Sequence, residues 1–235
     1  MKKTLKDFNN WISILAVPTE TFRNLEDRWL IASIASAIVF GCSESFLITL
    51  EQQVINNVVS QSFGDAAPAN RAYTLRWEWQ LLSVVWRETG MLLRWVIIAG
   101  TVFFLSLAVH GGASISFKTS FSLIVHAEVV FAFMALISVL YAHTLPIDEV
   151  LRPTDLRISI SLNSLLDNSS TGSILGQIAA KLNLFSLWFV AVLGLGLSAV
   201  GGFDRFRGTI IAAASWVAWM TVSIIPSLIG FVFSK

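Results

Sequence analysis

Charge and cysteine are what this sequence has least of. Only 13% of its 235 residues are Asp, Glu, Lys or Arg, about half the share carried by a soluble globular domain. So few charges cannot cover the water-facing surface of a soluble protein of this length. The net charge of +1 supplies no basic surface for nucleic acid. Cys42 is the single cysteine, which excludes an intramolecular disulfide and a cysteine-based zinc site. No Gly-x-Ser-x-Gly elbow, His-Glu-x-x-His pair or phosphate-binding glycine loop occurs. The serines and three histidines show no spacing that singles out a nucleophile and its base. No repeat of fixed period and no basic run is present. A non-enzymatic protein is expected, with no cofactor and no metal.

What the chain has in abundance is long apolar runs. Five of them cover Leu30–Leu50, Thr89–Val109, Phe121–Tyr141, Leu184–Phe203 and Gly208–Phe233. A hydrocarbon core of roughly 30 Å takes about 20 helical residues to cross. The fold class is therefore all-α: a polytopic membrane protein with five transmembrane helices and an amphipathic, interfacial amino-terminal helix. Residues 1–28 form the cytoplasmic amphipathic segment and residues 29–235 the membrane domain. In the first of these, Leu5, Phe8, Ile12 and Leu15 recur at helical spacing, with Lys2, Lys3, Lys6 and Asp7 off that face. Such a helix lies in the headgroup region or packs on the underside of the bundle. Asn9, Asn10 and Trp11 interrupt the apolar core that a cleavable signal peptide needs. Pro18 ends this helix, Thr19–Arg28 restarts one, and Trp29 marks the first membrane boundary.

Basic residues orient the spans. Lys2, Lys3, Lys6, Arg23 and Arg28 precede span one, Lys118 lies in the second connection, and Arg205 and Arg207 lie in the fourth. The positive-inside rule puts these regions in the cytoplasm and the carboxyl terminus outside. The two long connections, 51–88 with Trp77, Trp79 and Trp86, and 142–183 with a Ser/Asn-rich stretch, then face outward. Residues 174–182 read as a short amphipathic helix.

Ionisable groups within lipid depth are costly and point to partners or water. Glu44 and Arg94 both fall roughly 8–9 Å below the outer boundary at about 1.5 Å per residue. Neighbouring antiparallel spans predict a Glu44–Arg94 ion pair, either fixing helix register or lining a path. His110, His126 and Glu128 fall on the cytoplasmic side. Residues two apart on a helix do not face each other, so His126 and Glu128 point apart, and a neighbouring hydroxyl or histidine is the expected partner of Glu128. Cys42 reads as a small buried apolar residue. Small residues recur every four positions at Ser33, Ala37 and Gly41, at Gly194 and Ser198, and at Gly208 and Ala212. This spacing lets helix backbones approach closely, for internal packing or for another membrane protein. Spans four and five, joined by a few residues, predict a tight hairpin.

Two stretches carry a resemblance. One is Val17-Pro18-Thr19-Glu20-Thr21-Phe22, a Pro-x-x-x-Phe entry before span one. The other is Leu182-Asn183-Leu184-Phe185-Ser186-Leu187-Trp188, running into Gly194-x-Gly196. Physically, Pro18 turns the chain towards the bilayer with Phe22 as an anchor, Asn183 caps span four, and Trp188 sits near the interface. Together they resemble the bacterial branch of the Yip family, named for the Ypt/Rab-interacting membrane proteins. Span three departs from the family pattern in having His126-Ala127-Glu128 and no proline in its middle. The resemblance implies a non-enzymatic integral membrane protein. Some bacterial members stand beside ABC-type exporters with periplasmic adaptors. The small-GTPase role of eukaryotic members is not implied, because the cytoplasmic region here is shorter than theirs. An accessory or scaffold subunit of such an exporter is the function expected, with the lipid bilayer and another integral membrane protein as partners. A small transporter or channel using Glu44, Arg94, His126 and Glu128 is the first alternative, and a lipid-handling or membrane-shaping protein the second.

Overall fold

A computed structural model describes residues 9, 11–23, 29–63, 77–110, 115–146, 149–150, 153–158, 161–162 and 174–233. Among them the regular secondary structure is helical, joined by short turns, apart from one isolated bridge, Ser161 with Asn183. A helical turn at 11–13 is followed by α1 (Pro18–Arg23), α2 (Trp29–Phe63), α3 (Trp77–His110), α4 (Phe117–Ala127), α5 (Val129–Thr144), α6 (Ile174–Lys181), α7 (Leu184–Gly201) and α8 (Arg205–Phe233). α4 and α5 follow one another as a single span, so among the described residues five helices are long and apolar enough to cross a membrane.

The helices extend well past the apolar runs that announce them. α2 has 35 residues and α3 has 34, so much of the expected outer loop 51–88 is helix. Backbone groups in hydrocarbon must pair within their own segment, and nothing in residues 51–63 breaks that ladder once it has formed. Span three is interrupted at Glu128 even without a proline. There the Phe131 N–H returns to the Glu128 carbonyl at 2.9 Å, a three-residue closure inside a four-residue ladder.

Contacts group the chain into two compact units: Met1–Ser36, Leu92–Phe131 and Ser159–Lys235 in one, Ala37–Met91 and Ala132–Ile158 in the other. The first is built round the α7–α8 hairpin. Asn183 caps α7: its side chain accepts from the Ser186 N–H at 2.8 Å, while Ser186 Oγ accepts from the Asn183 N–H at 3.0 Å. Gly202, in the left-handed region at φ 69°, ends α7. Asp204 then accepts from the Arg207 N–H at 2.9 Å and starts α8. Gly194 and Gly208 let the two backbones touch. A Cβ on Gly194 would lie 2.9 Å from Thr209 Cα, and one on Gly208 would lie 2.6 Å from the Gly194 carbonyl oxygen. Ser198 bonds back to the Gly194 carbonyl at 3.0 Å, and Ala212 is fully buried.

α1 docks on the same hairpin. Phe22 is 1% exposed, and its ring would lie 2.9 Å from a Cβ on Gly196. Before α1, Trp11 and Ile14 are buried whereas Ile12 is exposed. Ile12 is exposed and Leu15 half-buried, which fits an apolar face turned to lipid, and the protein-covered side of this segment is that of Trp11 and Ile14. Packing on the protein, not lipid contact, covers Trp11 and Ile14; Leu5, Phe8 and the lysines lie outside the described residues. Phe131, Phe189 and Trp216 form an aromatic cluster with centroids 5.1–5.5 Å apart. Phe185 is buried and stacks with the half-buried Trp188.

The second unit has its own core of Leu47, Leu50 and Val54 from α2, with Ala142, Val150 and Leu156. Leu156 comes from a 3-10 turn, Pro153–Leu156, in the second long connection. That connection is thus ordered where it meets this core. Cys42 is exposed, not buried, because the buried stripe of α2 runs through Ser43, Glu44 and Leu47.

The hairpin sets a test. Gly194→Ala puts a methyl against backbone, which cannot turn aside as a side chain can, and is expected to destabilise by about 1–3 kcal/mol. Gly100→Ala, where a Cβ meets nothing within 4 Å, should be neutral or mildly stabilising. Reversible unfolding in detergent compares the two, and equal effects would contradict the backbone contact.

Candidate functional site: two intramembrane ion-pair networks

Glu44 and Glu51 are seven residues apart on α2, about two turns, and so share a face. Two arginines close on them. Arg87 of α3 ion-pairs with Glu44 and brings Nη2 to 3.7 Å from Glu51 Oε2. Arg157, directly after the 3-10 turn, grips both acids. Its Nη1 and Nη2 donate to the two oxygens of Glu44 at 2.8 and 2.9 Å, and its Nε donates to Glu51 Oε1 at 2.9 Å. The bidentate geometry is the strong form of this interaction. The Glu44 side chain is 6% exposed, whereas those of Arg87 and Arg157 are 35% and 31% exposed. Next to Arg87, Glu88 lies beside Gly41, where a Cβ would be 3.3 Å from Glu88 Oε1. That oxygen is buried and has no hydrogen-bond partner among the described residues. Ala37 is half-buried, and Ser33 donates to the Trp29 carbonyl at 2.8 Å.

The other network belongs to the first unit. Arg94 of α3 ion-pairs with Glu128, which is completely buried at the interruption of span three. The guanidinium also lies 4.6 Å from the centre of the Phe131 ring, a cation–π contact strengthened by the dry surroundings. Glu128 and Phe131 are three apart and so face the same way; Phe131 in turn joins the cluster with Phe189 and Trp216. Phe121, seven residues before Glu128, packs edge-on against Trp95 and Trp29. Glu128 Oε2, Arg94 Nε and Trp216 Nε1 have no hydrogen-bond partner among the described residues. Just outside the spans, burial and the Arg94 guanidinium hold the Lys181 ammonium below its ordinary range.

These placements correct the expected Glu44–Arg94 pair. Each residue has a different partner, and the two belong to different units. Glu128 binds Arg94, not a hydroxyl or a histidine. His126, also buried, is 2.7 Å from the Ser122 carbonyl through Nδ1. The His110 side chain lies outside the described residues, as do those of Trp77 and Trp79; Trp86 is 77% exposed. No group of three or more metal-ligating side chains occurs among the described residues. Arg87, Glu51 and Arg157 escape the sequence reading because they lie outside the apolar runs. The seven-residue spacing of Glu44 and Glu51 is the one signal that points to them.

The Arg94–Glu128 pair makes a specific prediction. Arg94→Leu or Glu128→Leu alone strands a buried charge and is expected to cost about 3–5 kcal/mol, while the double substitution recovers most of that loss. Unfolding of the three variants in detergent checks it; additive losses would mean the pair is not coupled.

A family model described as the Yip1 domain matches residues 12–225, nearly the whole chain. It takes in both networks and the α7–α8 hairpin. No curated protein and no solved structure matches.

Proposed function

The chain belongs to the Yip1 domain family and is a multi-pass membrane protein, and from that premise we propose that it is a non-enzymatic accessory or scaffold subunit of another membrane complex. The partner we favour is an ABC-type exporter with its periplasmic adaptor, in a bacterial inner membrane. One observation carries the reading. The charges that a conducting path would need are engaged with each other: Glu44 and Glu51 with Arg87 and Arg157, and Arg94 with Glu128. Paired in this way they fix which helices meet and in what register, the role of a rigid element that presents an apolar exterior to another membrane protein. The basic residues Arg205 and Arg207 at the hairpin turn, with Lys118, support a cytoplasmic amino terminus and an external carboxyl terminus.

A small transporter is the second reading. What favours it is Glu128 Oε2, buried and without a hydrogen-bond partner among the described residues, because such a carboxylate can take a proton or a cargo donor. That reading requires Glu128→Gln to abolish flux in proteoliposomes while leaving the fold intact.

The deciding experiment is a pull-down of the tagged chain from native membranes in mild detergent, with mass spectrometry of what accompanies it. Exporter and adaptor subunits are expected in stoichiometric amounts. Recovery of this chain alone, as a stable oligomer, would overturn the scaffold reading.

A further inference from the structure

Arg157 holds its segment to the membrane domain by a grip that has a substitute already in place. The segment is the 3-10 turn Pro153–Leu156 with Arg157. Its apolar plug, Leu156, is fully buried among Leu47, Leu50 and Val54, with Val150 beside it. Its polar clasp is Arg157 across Glu44 and Glu51. Arg87 already touches the same Glu44, and its second nitrogen stands 3.7 Å from Glu51. That distance is too long for a hydrogen bond and within reach of a side-chain movement. Two guanidinium groups therefore share one carboxylate, and only one of them is anchored in a membrane helix.

We propose that Pro153–Arg157 is a releasable strap, and that on its release Arg87 closes onto Glu51 and keeps both acids paired. Losing a partner is what makes a buried carboxylate costly. With Arg87 stationed between Glu44 and Glu51, departure of Arg157 leaves neither acid stranded. In the closed state the two like-charged guanidinium groups oppose each other across Glu44, so Arg87 favours the open state twice over. The Arg157 side chain, which lies outside the five spans, is about one-third exposed, so its side of the clasp is open to ions and screened by salt. Release uncovers the Leu47–Leu50–Val54 stripe of α2.

Amide hydrogen exchange of the full chain in lipid nanodiscs tests this, read on peptides covering residues 153–158 and on the α7–α8 hairpin. Arg157→Gln is expected to speed strap exchange by about tenfold or more, the effect of losing a charge-assisted hydrogen bond, with hairpin exchange unchanged. Arg157→Lys should fall between, because a point charge replaces a two-armed fork. Arg87→Gln should slow strap exchange below wild type, since release would then strand both acids. Higher ionic strength should speed the wild-type strap and leave Arg157→Gln unaffected. The proposal is overturned by an unchanged strap in Arg157→Gln, by exchange rising across the whole molecule in that variant, or by Arg87→Gln exchanging as fast as wild type or faster. If Arg87→Gln does not fold, the wild-type salt series decides: strap exchange insensitive to salt overturns the proposal.

Discussion

A charged side chain at the depth of hydrocarbon must find an opposite charge, and the rest of this structure follows from how that requirement is met. A lone ionised group at the centre of a membrane helix costs about 2.5–3.5 kcal/mol even by the mildest scale. Burying Glu128 completely therefore forces α3 to present Arg94 at the same level, which sets the register of α3 against the third span. The same rule acts at Glu44, where it recruits Arg87 from α3 and reaches across 113 positions of sequence to Arg157. A segment that would otherwise be a plain loop is thereby drawn onto α2.

Apolar packing in lipid has no hydrophobic effect to drive one helix onto another, so close approach takes its place. Gly194 and Gly208 remove the side chains that would hold α7 and α8 apart, and Gly196 leaves the space that Phe22 fills. The two stretches that carry the family resemblance, one before the first span and one at the fourth, are in this way a single packed element. Pro18 starts α1, α1 aims Phe22, and the missing Cβ of Gly196 receives it. This gives a physical reason for Pro-x-x-x-Phe and Gly-x-Gly to occur in one chain.

These two constraints separate rigid from adjustable parts. The hairpin is held by backbone contact, which has no alternative arrangement. The Glu44–Glu51 network is held by two exchangeable cations, one on a helix and one on a turn. The first kind of contact holds the shape of the hairpin, and the second kind allows a turn to leave without stranding a buried acid.

Much of the fold was legible in the order of residues, because its causes are local. The five spans follow from apolar length, the α7 cap from Asn183 three residues before Ser186, and the hairpin from small residues at four-residue spacing beside a short turn. What failed depended on facts with no local trace. Glu44 was matched with Arg94 because the ends of the spans were taken from hydropathy, whereas α2 and α3 run on as helix beyond their apolar runs. Cys42 was read as buried because only rotation about the helix axis decides that it faces outward while Ser43 and Glu44 face in. The break at Glu128 has no proline to announce it. Apolar length and scarce charge are enough to place this chain in a membrane, to count its possible crossings, and to mark the side chains too costly there to stand alone. Which charge meets which emerges only on folding, because pairing depends on helix rotation and register and on Arg157, 113 residues from Glu44, and no one-dimensional pattern carries those.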